Sequence, residues 1–145
     1  MSDEDIANAR RVYETLNEAY KRNDPSLFLP VLEQFWDPDV LFVPAGVFPE
    51  SEVVHGREAM IDFVAEQMKA FEPGTMFMEP LEFIEVGSTI VVPYRFGGRA
   101  SHTGIDVVFS FVHVATQRHG KTVRVDVYLT KEEALADLGF GDDPA

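Results

Sequence analysis

The chain has 145 residues, 46% of them hydrophobic and twelve of them Phe, enough to build one domain around a buried core and far from a disordered composition. Twelve Lys and Arg stand against 25 Asp and Glu, a formal charge of −13. That charge repels phosphate backbones and anionic lipid, so neither nucleic acid nor a membrane surface is an expected partner. The absence of Cys excludes disulfides and thiolate chemistry and suits a cytoplasmic protein. The start, MSDEDIANARR, has no apolar stretch of signal-peptide type, and no run approaches the length of a membrane span.

In chain order, Ser2 and Asp5 form a capping pattern ahead of Ile6, Ala9, Val12, Tyr13, Leu16, Ala19 and Tyr20 at helical spacing, which predicts a first helix ending near Arg22. Asp24-Pro25 begins a second helix, which Pro30 kinks or splits. DPDVLFVP reads as a turn and a short strand at 39–43, followed by a loop rich in Pro and Gly. From Gly56, REAMIDFVAEQMKAF forms a third helix with Met60, Ile61, Val64, Met68 and Phe71 inward. After Met76 the apolar period changes from 3.6 to 2. Strands are expected at 76–86, 89–96, 105–117 and 122–129, broken by Gly87-Ser88, Gly97-Gly98 and His119-Gly120. Thr130 and Glu133 make a second capping box, and KEEALADL forms a last helix stopped at Gly139, before a frayed GDDPA tail. Helices first and a strand meander afterwards predict a single α+β domain over 1–145, with helices on one face of an antiparallel sheet.

HGREAMIDF at 55–63 and the ending FVHVATQRHGKTVRVDVYLTKEEAL, set in this order of elements, resemble the nuclear-transport-factor-2-like superfamily, especially its SnoaL-like members. The resemblance covers nearly the whole chain. It implies a cone: a strongly curved antiparallel or mixed sheet wrapped around N-terminal helices, with a deep apolar pocket between them and a tendency to dimerise. Members range from polyketide cyclases, a steroid isomerase, an epoxide hydrolase and a dehydratase to non-catalytic binders, so fold underdetermines function. The positions matching the steroid isomerase's tyrosine and two acids fall here on Leu16, Val43 and Val112. All three are apolar, and that chemistry does not carry over.

A two-residue turn at His119-Gly120 pairs His113 with Asp126, Phe111 with Tyr128 and Val112 with Val127. Placing the valine-rich face against the apolar helices makes Val91, Pro93, Arg95, Asp106, Val108, Ser110, Val112, Val125, Val127 and Leu129 the sheet's contribution to the pocket. Leu16, Tyr20, Trp36, Val43, Met60 and Val64 add the helical and first-strand side. The opposite face then carries Tyr94, Ile105, Phe109, Phe111, His113, Arg124, Asp126 and Tyr128. That contiguous apolar patch predicts a homodimer through the outer sheet face, with His113 and Asp126 in structural roles.

Three residues are candidates for chemistry. Asp106 suits a general base and Arg95 a cation steadying an oxyanion, placed opposite each other near the pocket mouth; the alternative is an ion pair closing a hairpin. His55, beside Gly56 and Arg57, is a candidate acid-base group at the rim or else a surface or capping residue. The four His form no metal-ligand pattern, and no metal or cofactor is expected. The expected partner is a small hydrophobic molecule. Either a cofactor-free isomerase, cyclase, lyase or hydrolase or a non-catalytic binding module fits these residues.

Overall fold

A computed structural model describes residues 3–44 and 51–139. The cap expected at Ser2, the run 45–50 within the Pro- and Gly-rich loop, and the tail from 140 onward lie outside the described residues.

Helix α1 (Asp3–Arg22) begins with Asp3, Glu4 and Asp5 and ends with Lys21 and Arg22, charges that complement its dipole. Its inner stripe buries Val12, Tyr13, Leu16, Ala19 and Tyr20. The Asp24 carboxylate accepts from the Ser26 backbone N–H at 3.1 Å and caps a single 3₁₀ turn, Pro25–Phe28. Pro30 sits in the first turn of α2 (Leu29–Phe35), where a missing N–H costs nothing, so the segment splits as its proline predicts. Strands β1 (Trp36–Val43) and β2 (Val54–His55) and helix α3 (Arg57–Met68) follow. Arg57 at the start of α3 donates to the Trp36 and Glu33 carbonyls, tying α3 to the end of α2.

The remaining strands are β3 (Phe77–Pro80), β4 (Ile84–Val86), β5 (Thr89–Arg99), β6 (Asp106–Arg118) and β7 (Lys121–Tyr128), before helix α4 (Lys131–Asp137). The sheet runs β2-β1-β7-β6-β5-β3, with β4 also paired to β5. The β1–β7 pair is parallel and the other pairs are antiparallel, so the sheet is mixed. Glu133 N–H donates to Thr130 Oγ1 at 3.1 Å, the cap expected for the last helix.

Gly97-Gly98 does not end β5, as the sequence suggests, but lies inside it. A Cβ on Gly97 would stand 2.0 Å from the Val107 carbonyl oxygen, and one on Gly98 would stand 2.9 Å from the Phe71 ring. The glycines mark a close backbone approach rather than a turn.

The β6–β7 hairpin carries the main departure from expectation. His119 and Gly120 take the left-handed φ values of +54° and +75° that a two-residue turn requires, and Arg118 pairs with Lys121 as expected. A bulge follows: Gln117 pairs with Thr122 but Thr116 pairs with Arg124, leaving Val123 unmatched. Beyond it His113 lies opposite Val127, not Asp126, and Val112 lies opposite Tyr128, not Val127. One extra residue thus moves every β6 side chain to the other face relative to β7. The main core joins the helices to Ile90, Val92, Tyr94, Phe96, Val125 and Val127. On the other face Val91, Val112 and Val114 pack beneath Ala134 and Leu135 of α4.

Candidate functional site

Inside the main core, between the helices and the inner sheet face, lies a cavity of about 90 Å³. Its walls are mainly aromatic and aliphatic, with the Asn8, Gln67 and Gln117 amides and the Thr122 hydroxyl among them, and Asp5 is the one ionic side chain lining it among the described residues. Four polar rings interrupt the apolar wall: Tyr13 and Tyr20 from α1, Tyr94 from β5 and His113 from β6. Tyr13 and Tyr20 are seven residues apart on the helix, two turns along one stripe. Tyr94 and His113 belong to adjacent strands whose register pairs Val92 with His113 and Tyr94 with Phe111.

His113 Nδ1 lies 2.8 Å from the Tyr13 hydroxyl, and both groups are buried. The phenol makes no other hydrogen bond among the described residues, so the arrangement that satisfies it has Tyr13 donating to Nδ1. Nε2 then carries the imidazole proton. The Tyr94 ring lies against the imidazole at 4.0 Å between centroids, and Phe42 meets its edge at 5.9 Å. Burial pushes the His113 pKa down to about 3, so the imidazole is neutral at physiological pH. Burial raises the phenols of Tyr13 and Tyr20 well above their ordinary value. Tyr94 is raised by burial first and then by the neighbouring Tyr13 and Tyr20 phenols. The Tyr20 hydroxyl is buried without a hydrogen-bond partner among the described residues.

Of the side chains the sequence placed here, Leu16, Tyr20, Trp36, Met60, Val64, Val125 and Val127 line the cavity. The others do not. Val91 and Val112 are buried on the opposite face against α4, while Val108 and Ser110 share that outer face and are exposed. Val43 pairs with Asp126 on the outer side of β1, and Leu129 lies past the end of β7, half exposed. Arg95 and Asp106 are not opposite each other. Arg95 pairs with Ser110 across the ladder and its Nε donates to Glu79 at 3.1 Å on the outer face; Asp106 pairs with Arg99, whose Nε approaches it at 3.2 Å. His55 is exposed on a separate surface cleft, 3.8 Å from Asp39. Asp126 does sit on the outer face, where Arg124 holds it in a two-pronged ion pair.

A family model described as the SnoaL-like domain matches residues 9–125. The chain belongs to the SnoaL-like family. This SnoaL-like chain is 27% identical to a nuclear-transport-factor-2-like protein of unknown function from Burkholderia pseudomallei, with 94% of this chain and 97% of that one covered at a TM-score of 0.64. It shares the fold of TerC, crystallised with polyporic acid, at 22% identity and a TM-score of 0.62 over 94% and 99% of the two chains. A SnoaL-like protein from Jannaschia superposes over 99% and 98% at 16% identity and a TM-score of 0.69. No protein of curated function matches the chain.

Tyr13, Tyr94 and His113 are the polar rings of the cavity that the sequence did not place in the site, and the Asn8, Gln67, Gln117 and Thr122 side chains were missed with them. Tyr13 was visible as a member of the same helical stripe as Tyr20. His113 and Tyr94 were assigned to the outside by a register carried through the bulge.

Proposed function

We propose that this SnoaL-like protein binds a small, largely apolar organic molecule in the cavity behind α1. The observation that supports this is the composition of the wall: a mainly apolar shell interrupted by a few hydroxyl, amide and imidazole groups, the usual make-up of a small-molecule site. The volume of about 90 Å³ is below the roughly 150 Å³ of an engineered apolar cavity that takes up benzene, so the occupant is about one ring in size, or a larger one that parts the wall. The Nε2–H of His113 offers a donor to a ligand oxygen. Thermal-shift and calorimetric titration with toluene, comparing wild type with Val127→Phe, tests this. Uptake by the wild type and loss in the filled variant are expected.

A second reading is a cofactor-free isomerase or cyclase. It is favoured by the neutral imidazole, which polarises a carbonyl without first losing a proton. Such chemistry also requires a base, and the one carboxylate lining the cavity among the described residues is Asp5. The balance therefore favours a binding module. A homodimer through the outer sheet face remains part of this proposal, with its apolar contribution reduced to the side chains that α4 leaves uncovered.

A further inference from the structure

The mechanism sketched for His113 leaves Tyr20 unused. Its hydroxyl is enclosed, with 1% of the residue exposed, and it lines the same cavity without a hydrogen-bond partner among the described residues. Buried hydroxyls are almost always paired, yet among the described residues no group, the neighbouring Tyr94 phenol included, stands within hydrogen-bond reach of this one. The hydroxyl is therefore directed at something that enters the cavity.

The charge of that occupant follows from the rest of the wall. No Lys or Arg lines the cavity among the described residues, and the single carboxylate, Asp5, stands in the first turn of α1, on the far side of Tyr13 from Tyr20. The other polar groups of the wall, Tyr13, Tyr94, His113, Thr122 and the Asn8, Gln67 and Gln117 amides, are uncharged. An anion brought in would lose its water without gaining a cation, and a cation placed near Tyr20 would find only phenol oxygen. A neutral oxygen loses little water and regains a hydrogen bond.

Building on the cavity as a binding site, we infer that Tyr20 is a ligand-binding residue that selects uncharged, ring-sized molecules carrying one hydrogen-bonding oxygen, the class of small phenols and cyclic ketones.

The probes are toluene, phenol and benzoate, titrated at pH 7 into wild type and Tyr20→Phe and read by calorimetry. Wild type should take up toluene and phenol and bind benzoate on the order of 100-fold more weakly than phenol, because the carboxylate has no counter-charge. Tyr20→Phe should weaken phenol by roughly 3–10-fold, the loss of one neutral hydrogen bond, and leave toluene within about 2-fold. Toluene binding combined with equal phenol affinity in both proteins, or with benzoate binding as tightly as phenol, overturns the role of Tyr20 alone. A wild type that takes up none of the three overturns it together with the cavity reading beneath it. If Tyr20→Phe does not fold, the phenol-to-benzoate ratio in the wild type decides.

Discussion

The Tyr13 hydroxyl and His113 Nδ1 meet at 2.8 Å across 100 residues of sequence, joining the middle of α1 to the middle of β6 inside the core. The bond spares both groups the cost of an unpaired buried polar atom. It also fixes the imidazole ring in the cavity wall, with Tyr94 against one side.

The buried imidazole makes stability depend on pH. In the folded chain His113 titrates near 3, below its ordinary value of 6.5. Between those limits the unfolded chain binds the proton and the native one does not. The contribution is complete above about pH 6.5 and is lost as pH falls toward 3, at up to about 1.4 kcal/mol per unit. Urea unfolding at pH 7 and pH 5 should show the wild type losing about 2 kcal/mol more than His113→Gln. Parallel losses in the two proteins would contradict a buried neutral imidazole.

Asn17 on α1 holds the edge strand β3. Its Oδ1 accepts from the Met78 N–H at 2.7 Å, and its Nδ2 donates to the Met78 carbonyl at 2.6 Å. The side-chain amide thus supplies the pairing that a neighbouring strand would have given. Asn17→Ala should cost about 1–3 kcal/mol by leaving both backbone groups unpaired. The expected signs are a lower urea midpoint with an unchanged slope and faster hydrogen exchange at the Met78 amide. A variant as stable as the wild type would show that water replaces the amide.

The order of elements, the split second helix, the His119-Gly120 turn and the Thr130 cap were all legible, because each rests on local chemistry that a few residues carry. The inner and outer faces of β6 were not. Alternation along β6 is plain in the sequence, but its phase relative to β7 depends on the single unmatched Val123, and nothing local announces a bulge there. The last helix was legible as a helix, but the expectation of all helices on one face of the sheet fails for it, since it packs on the other. Its position over Val91, Val112 and Val114 shows how a strand with apolar side chains on both faces is covered on both. Arg95 and Asp106 look like a pair on counting but find Glu79 and Arg99 instead, since β5 continues through Gly97-Gly98.

The expected dimer now rests in part on different side chains, with Ile105 alone kept from the expected Tyr94, Ile105 and Phe111. Tyr94 is buried in the core and Phe111 lies half-buried against it. Ile105 and Val108 remain 61% and 56% exposed near the tip of the β5–β6 hairpin, with Leu81 at 55%, beyond the cover of α4. A dimer held by this patch should dissociate on Val108→Asp with the fold intact, because a buried unpaired charge is costly. Light scattering that gives the wild type a mass near the 16.3 kDa of one chain at micromolar concentration would remove the dimer.

The most direct test of the site uses the valines themselves, since the account divides them between two faces. Val64, Val92, Val125 and Val127 line the cavity, while Val91, Val112 and Val114 are buried on the other face of the sheet with Ala134. Methyl NMR of protein labelled at valine, titrated with toluene, reads both sets at once. The cavity set should shift progressively and saturably, with Val91, Val112 and Val114 nearly unmoved. Shifts confined to Val91, Val112 and Val114, or no saturable shift in the cavity set, would contradict a binding site between α1 and the inner face of the sheet.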